Sequence, residues 1–193
     1  MEKKITTNVG IILSLIALTL VLAGLTNQIA SKSGNISNNL SRGTNDCYIS
    51  TIKPVHGDSL SPYIHNGEKV KVLFNYYDCH PLQRGDIVVL HFALRPNKLY
   101  LKRLLGLPGD KIKIIDNRLW INGRLIKTYE GKTYLFTPKQ IRKITAPLRD
   151  STINPGYYLV LSNQVSSTAF DSRFFGYVEK HHIVGKIVKL NNE

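Results

Sequence analysis

The chain has 193 residues, 42% of them hydrophobic, which is enough for one ordinary buried core and argues for one folded domain with appendages. Its 26 basic and 13 acidic residues give a formal charge of +13, yet Lys and Arg never run longer than two. That scatter suits an anionic membrane surface as well as nucleic acid, so charge alone chooses no partner. Two cysteines, Cys47 and Cys79, are too few for a zinc site without help from histidine. In an oxidising compartment they can pair, closing a loop worth about 3–4 kcal/mol in the chain-entropy model; two separate free thiols are the alternative.

In chain order, residues 1–8 carry Lys3 and Lys4 and precede an apolar run over 9–25 broken only by Ser14 and Thr19. As a helix, that run rises about 25 Å, close to the hydrocarbon thickness of a bilayer. It exceeds the usual length of a signal-peptide apolar region, which favours a retained transmembrane anchor over a cleaved leader. The basic residues ahead of the run place the N-terminus in the cytoplasm and the body of the chain outside. Residues 26–46 are rich in Ser, Asn, Gly and Thr without apolar periodicity, and read as a flexible linker.

From residue 47 to 193 the pattern changes to short β-type segments between turn signals. Val70 and Val72 alternate with Lys69 and Lys71; Ile87, Val88, Val89 and Leu90 form a continuous apolar run; Ile112 and Ile114 alternate with lysines. Asp116-Asn117 and Asn122-Gly123 punctuate a hairpin carrying Leu119 and Trp120 on one arm and Leu125 and Ile126 on the other. Residues 157–162 and 183–190 are further β-like stretches. With no helical period in this region, the expected fold is an all-β, antiparallel, curled or barrel-like domain behind one N-terminal transmembrane helix. Residues 129–150 are basic and poorly patterned, and read as an inserted cap or excursion.

Two residues stand out chemically. Ser59, within Gly57-Asp58-Ser59-Leu60-Ser61-Pro62, occupies a turn-rich stretch just ahead of a half-polar strand. Lys102, within Leu99-Tyr100-Leu101-Lys102-Arg103-Leu104-Leu105, shares a strand face with Tyr100 and Leu104. A lysine on an apolar face loses basicity through desolvation, and its neutral amine is able to take a proton from a serine hydroxyl.

Taken in order, Ser59-Leu60-Ser61-Pro62, Arg84-Gly85-Asp86-Ile87-Val88, the stretch from Lys102-Arg103 to Gly109-Asp110, and Asp171-Ser172-Arg173-Phe174-Phe175-Gly176 resemble the four motif blocks of type I signal peptidases. The resemblance implies a membrane-bound serine endopeptidase that removes signal peptides from exported precursors outside the cytoplasmic membrane. It implies Ser59 as nucleophile and Lys102 as general base, with no cofactor and no metal. The Ser59 N–H enters the oxyanion hole, and Asp171, Ser172 and Arg173 act in support. Gly57 stands where some members place a hydroxyl for that hole, so the second donor must come from backbone or another side chain.

The chain departs from the pattern at Leu60, where methionine is usual, and at Ala169, where a serine commonly contacts the lysine. Ser167 and Thr168 are the nearby hydroxyls, and Ser162-Asn163-Gln164 replaces a Gly-Asp-Asn opening. The stretch from Phe170 to Gly176 also resembles the conjugative-transfer branch, which implies a dedicated pilin-like substrate as an alternative. From another class, a non-catalytic membrane-tethered β-domain acting as a binding module needs neither Ser59 nor Lys102. The letters Gly57-Asp58-Ser59-Leu60 also match an esterase signature, but no Asp has a His three residues later. Expected partners are signal-peptide-bearing precursors and membrane lipid, not nucleic acid.

Overall fold

The computed structural model describes residues 41–42, 47–165 and 169–190. The apolar run at 9–25 and most of the following linker lie outside these. Among the described residues no helix is long and apolar enough to cross a membrane.

The described residues form eleven strands: β1 (Ser41–Arg42), β2 (Ile49–Pro54), β3 (Lys69–Phe74), β4 (Ile87–His91), β5 (Leu99–Gly106), β6 (Ile112–Ile115), β7 (Arg118–Ile121), β8 (Arg124–Leu125), β9 (Tyr157–Leu161), β10 (Val178–Glu179) and β11 (Ile183–Lys189). One antiparallel sheet runs in the order β1-β2-β3-β11-β4-β5-β9-β10, and a smaller one is β6-β7-β8. β1 falls inside the stretch read from sequence as linker, where it pairs with β2.

Side-chain alternation explains the layering. In β3, Val70 and Val72 are buried while Lys69 and Lys71 are exposed. The central strand β4 is buried on both faces. Ile87 and Val89 join Val55, Leu60, Ile64, Val70 and Val72 on one side, while Val88 and Leu90 join Tyr77, Leu104 and Val160 on the other. The small sheet follows its turn residues. Asp116, Asn117, Asn122 and Gly123 all adopt positive φ, as tight hairpin turns require, and Trp120 pairs with Leu125.

Two helices correct the expectation that the domain beyond residue 47 has none. α1 (Pro138–Thr145) lies within the excursion, and α2 (Ser172–Phe175) opens on Asp171. Thr137 and Gln140 form a reciprocal capping box with Pro138 at the first turn, a start signal that needs no long periodicity. Ile144 of α1 packs with Leu119, Tyr134, Ile153 and Leu159 in a third cluster between the small sheet and β9.

Two features of the main sheet position the site. β4 accompanies β5 along its length from Leu99 to Arg103, whereas β9 pairs with β5 only between Arg103 and Gly106. Along Leu99 to Lys102, that second edge of β5 carries no strand among the described residues. At the paired end the two strands pack closely: a Cβ at Gly106 would lie 2.7 Å from Leu159 Cβ.

Candidate active site

The turn bearing Ser59 is closed at its base by backbone bonds from Val55 N–H to Glu68 O (2.9 Å) and from Gly67 N–H to Val55 O (2.8 Å). Leu60 and Ile64 plug it into the apolar cluster below β2 and β3. Gly57 takes φ +90°, and its N–H donates to Asn66 Oδ1 at 2.8 Å, so that amide shapes the turn. The Ser59 N–H, by contrast, has no acceptor among the described residues.

Ser59 is half-buried, and its hydroxyl donates to the carbonyl oxygen of Leu101 at 3.4 Å. The turn therefore meets the open edge of β5 one residue from Lys102. Lys102 is buried, standing opposite Val88 in the ladder with Tyr100 and Leu104 as its same-face neighbours. Burial pushes its pKa from 10.5 down to about 8; Asp171 opposes the shift and Arg173 adds to it. Among the described residues Lys102 has no ion-pair partner. Strand alternation places it as the sequence suggests, an amine held in an apolar face.

Asp171, Ser172 and Arg173 are fully buried behind this region. The Asp171 carboxylate accepts from Ser162 N–H and Ser162 Oγ–H (both 2.9 Å) and from Arg173 Nη2 (2.7 Å) through one oxygen. Its other oxygen accepts from the Arg173 N–H and Nε (both 3.0 Å). Arg173 Nη2 also donates to Gln164 O at 2.8 Å, and Ser172 Oγ accepts from Val160 N–H at 2.9 Å. Hydrogen bonds offset part of the desolvation of this pair, Arg173 Nη1 being left without a partner among the described residues, and the pair ties α2 to β9 and the segment beyond it. Ala169 is buried and offers no hydroxyl; Ser167 and Thr168 lie outside the described residues.

Sequence reasoning missed the residue that joins these parts. Asn163 donates its N–H to Ser59 O (2.7 Å) and its Nδ2 to Ser61 O (2.6 Å), while its Oδ1 accepts from Tyr129 N–H (2.8 Å). Gln164 Nε2 adds a bond to Asp58 O at 3.0 Å. The Tyr129 ring stacks on Tyr63 at 4.2 Å, and the Arg103 guanidinium lies 4.3 Å from the Tyr129 ring centre. The excursion thus packs on the serine turn. In sequence, the one trace of this was the altered Ser162-Asn163-Gln164 triplet.

Beside Ser59 opens a cavity of about 690 Å³ whose lining includes Val55, Val70, Val72, Leu101 and Ile187. A half-exposed hydroxyl, a buried amine of lowered basicity, an unoccupied backbone N–H and an open strand edge are the kinds of group that acyl transfer by a serine and a lysine requires. The family model for signal peptidase, peptidase S26, matches residues 45–190. The chain belongs to this family. It is 31% identical to signal peptidase IB of Staphylococcus aureus over 150 residues, covering 72% of this chain and 76% of the relative. It is 32% identical to signal peptidase I of Bacillus caldolyticus over 160 residues, covering 73% and 82%. A crystal structure of a signal peptidase I from Enterococcus faecalis V583 is 28% identical, covers 56% of this chain and 98% of its own, and gives a TM-score of 0.41.

Away from this centre, Cys47 and Cys79 form a disulfide with a Cα–Cα distance of 6.2 Å. It anchors the chain just before β2 to the 3-10 turn Tyr76–Asp78.

Proposed function

We propose that this signal peptidase family member cleaves signal peptides with Ser59 as nucleophile and Lys102 as general base. The observation that carries the reading is a buried Lys102, with no ion-pair partner among the described residues, one residue from the carbonyl that receives the Ser59 hydroxyl. Neutral Lys102 takes the Ser59 proton as Oγ attacks the scissile carbonyl carbon. The resulting oxyanion is met by the free Ser59 N–H, and the lysine then protonates the leaving amine. Water, deprotonated by the same amine, hydrolyses the acyl-enzyme and regenerates the serine.

An extended precursor segment adds to the open edge of β5 between Leu99 and Lys102, with small side chains at the first and third positions before the cleaved bond. Residues 9–25 anchor the enzyme as a single transmembrane helix with the N-terminus inside, so the domain works on the outer side of the cytoplasmic membrane. The Cys47–Cys79 disulfide suits that oxidising side. The test is precursor processing by Ser59→Ala and Lys102→Ala variants. Each is expected to lose roughly three orders of magnitude in rate while remaining folded; wild-type turnover by either variant rules the dyad out.

A further inference from the structure

The cavity beside Ser59 has an apolar floor but a cationic mouth. Lys53 pairs with Val70 across the β2–β3 ladder, and Thr51 pairs with Val72. Directly paired residues share a sheet face, so Lys53 stands on the face that carries the buried valines of the floor, while Ile52 points outward. Lys98 stands on the other wall, immediately before β5. His56 and Asn97 also line the cavity; among the described residues no Asp or Glu does. Neither lysine has an ion-pair partner among the described residues, whereas Lys132, Lys186 and Lys189 each have one. The described lining of the cavity therefore holds two lysines without an ion-pair partner and no carboxylate.

Resting on the reading of Ser59 and β5 given above, we propose that Lys53 and Lys98 select precursors carrying an acidic side chain a few residues before the cleaved bond. The distance follows from the strand. Ser59 meets β5 at Leu101, and Lys98 lies three residues along the chain. A substrate strand on the same edge advances at the same rise of about 3.3 Å per residue, which brings a residue about three to five positions from the scissile bond level with Lys98. A carboxylate there is met by two cations over a low-dielectric floor. The chemical class selected is an acidic peptide segment, a preference that separates a dedicated precursor from secretory precursors at large.

The experiment compares cleavage of synthetic precursor peptides by the full-length enzyme in detergent. One peptide has alanine throughout the stretch before the bond, and a set moves a single Asp from the second to the sixth position before it. The acid is expected to raise kcat/KM about fivefold to tenfold near the fourth position, mainly through KM, and the gain should shrink as salt rises. In a Lys53→Glu/Lys98→Glu variant the acid-to-alanine ratio should fall below one, with lysine peptides gaining instead. Because each ratio is taken within one enzyme, a general loss of fold or rate cancels. An unchanged ratio in the variant, or no gain in the wild type at any position, overturns the proposal. An unchanged ratio together with weaker binding to phosphatidylglycerol vesicles also overturns it, and assigns the lysines to lipid. If neither peptide is cleaved by the wild-type enzyme, the function reading itself has failed, and the two failures are told apart.

Discussion

At Lys102 the fold holds an amine where charge is costly, and under the proposed mechanism that cost sets how the enzyme responds to pH. Its pKa falls from 10.5 to about 8 because burial removes water from the ammonium. With neutral Lys102 as the proposed base, kcat for precursor cleavage should climb with pH through about 8 and level off above it. A profile flat from neutral to alkaline pH would remove Lys102 from the mechanism. The same shift bears on stability. Below about 8 both folded and unfolded chains carry the proton, and the folded one pays about 3 kcal/mol for it. Between about 8 and 10.5 only the unfolded chain still holds that proton, so stability rises with pH across this window. Lys102→Met, inactive by this mechanism, should therefore be more stable than wild type at neutral pH by up to about 3 kcal/mol. Urea unfolding of both proteins across the window checks it, because the gap should narrow as pH rises. Asn163 acts differently, holding the turn that carries Ser59 at both Ser59 O and Ser61 O. Asn163→Leu keeps the volume and removes the side-chain bonds. It should lower kcat about tenfold to a hundredfold with KM little changed and the pH midpoint still near 8. Ser59 and Lys102 stand out as candidates in the sequence because each sits in a short stretch with its own chemistry. Asn163 cannot, since its bond to Ser61 spans 102 residues and no local pattern encodes it.

Among the elements, those written in short-range chemistry were the readable ones. The alternation of β3, the continuous apolar run of β4 and the Asn-Gly hairpin of β7 and β8 all follow from spacing that a sequence displays. α1 escaped because eight residues give little more than two turns of period, although its Thr137-Pro138-Lys139-Gln140 opening announces a helix start. The pairing of Cys47 with Cys79 was open in the sequence, since spacing alone does not bring two sulfurs together; the contact of the segment before β2 with the 3-10 turn does. That bridge spans 32 residues, and removing it with Cys47→Ser/Cys79→Ser should cost about 4 kcal/mol in urea unfolding. Equal midpoints for wild type and variant would mean that the pair does not form. Gly185 in β11 shows a constraint of another kind. A Cβ there would lie 2.6 Å from the Leu73 carbonyl oxygen, which is backbone and has little freedom to retreat. Gly185→Ala should destabilise the sheet by about 1–3 kcal/mol, read by the same unfolding measurement.

For the whole molecule, the strand order was the least readable feature. The last strand, β11, lies between β3 and β4, so the centre of the main sheet closes only when the C-terminal segment arrives. Such long-range pairing leaves no mark in any local window. At this scale the placement of charge supports an expectation about orientation. Lys3 and Lys4 stand ahead of the apolar run at 9–25, and the next basic residue is Lys32. If that run is a retained anchor, a tag placed before Met1 should react with a membrane-impermeant reagent only after cells are permeabilised, while a tag after Glu193 should react in intact spheroplasts. Both tags should stay in the membrane pellet after carbonate extraction, because a helix of that length resists stripping. Release of the C-terminal tag with loss of the N-terminal one would make the run a cleaved leader. The reversed labelling pattern would put the peptidase domain in the cytoplasm, away from translocated precursors and with its disulfide exposed to reducing conditions. Orientation, disulfide and dyad therefore stand on one topology, and a single labelling experiment challenges all three.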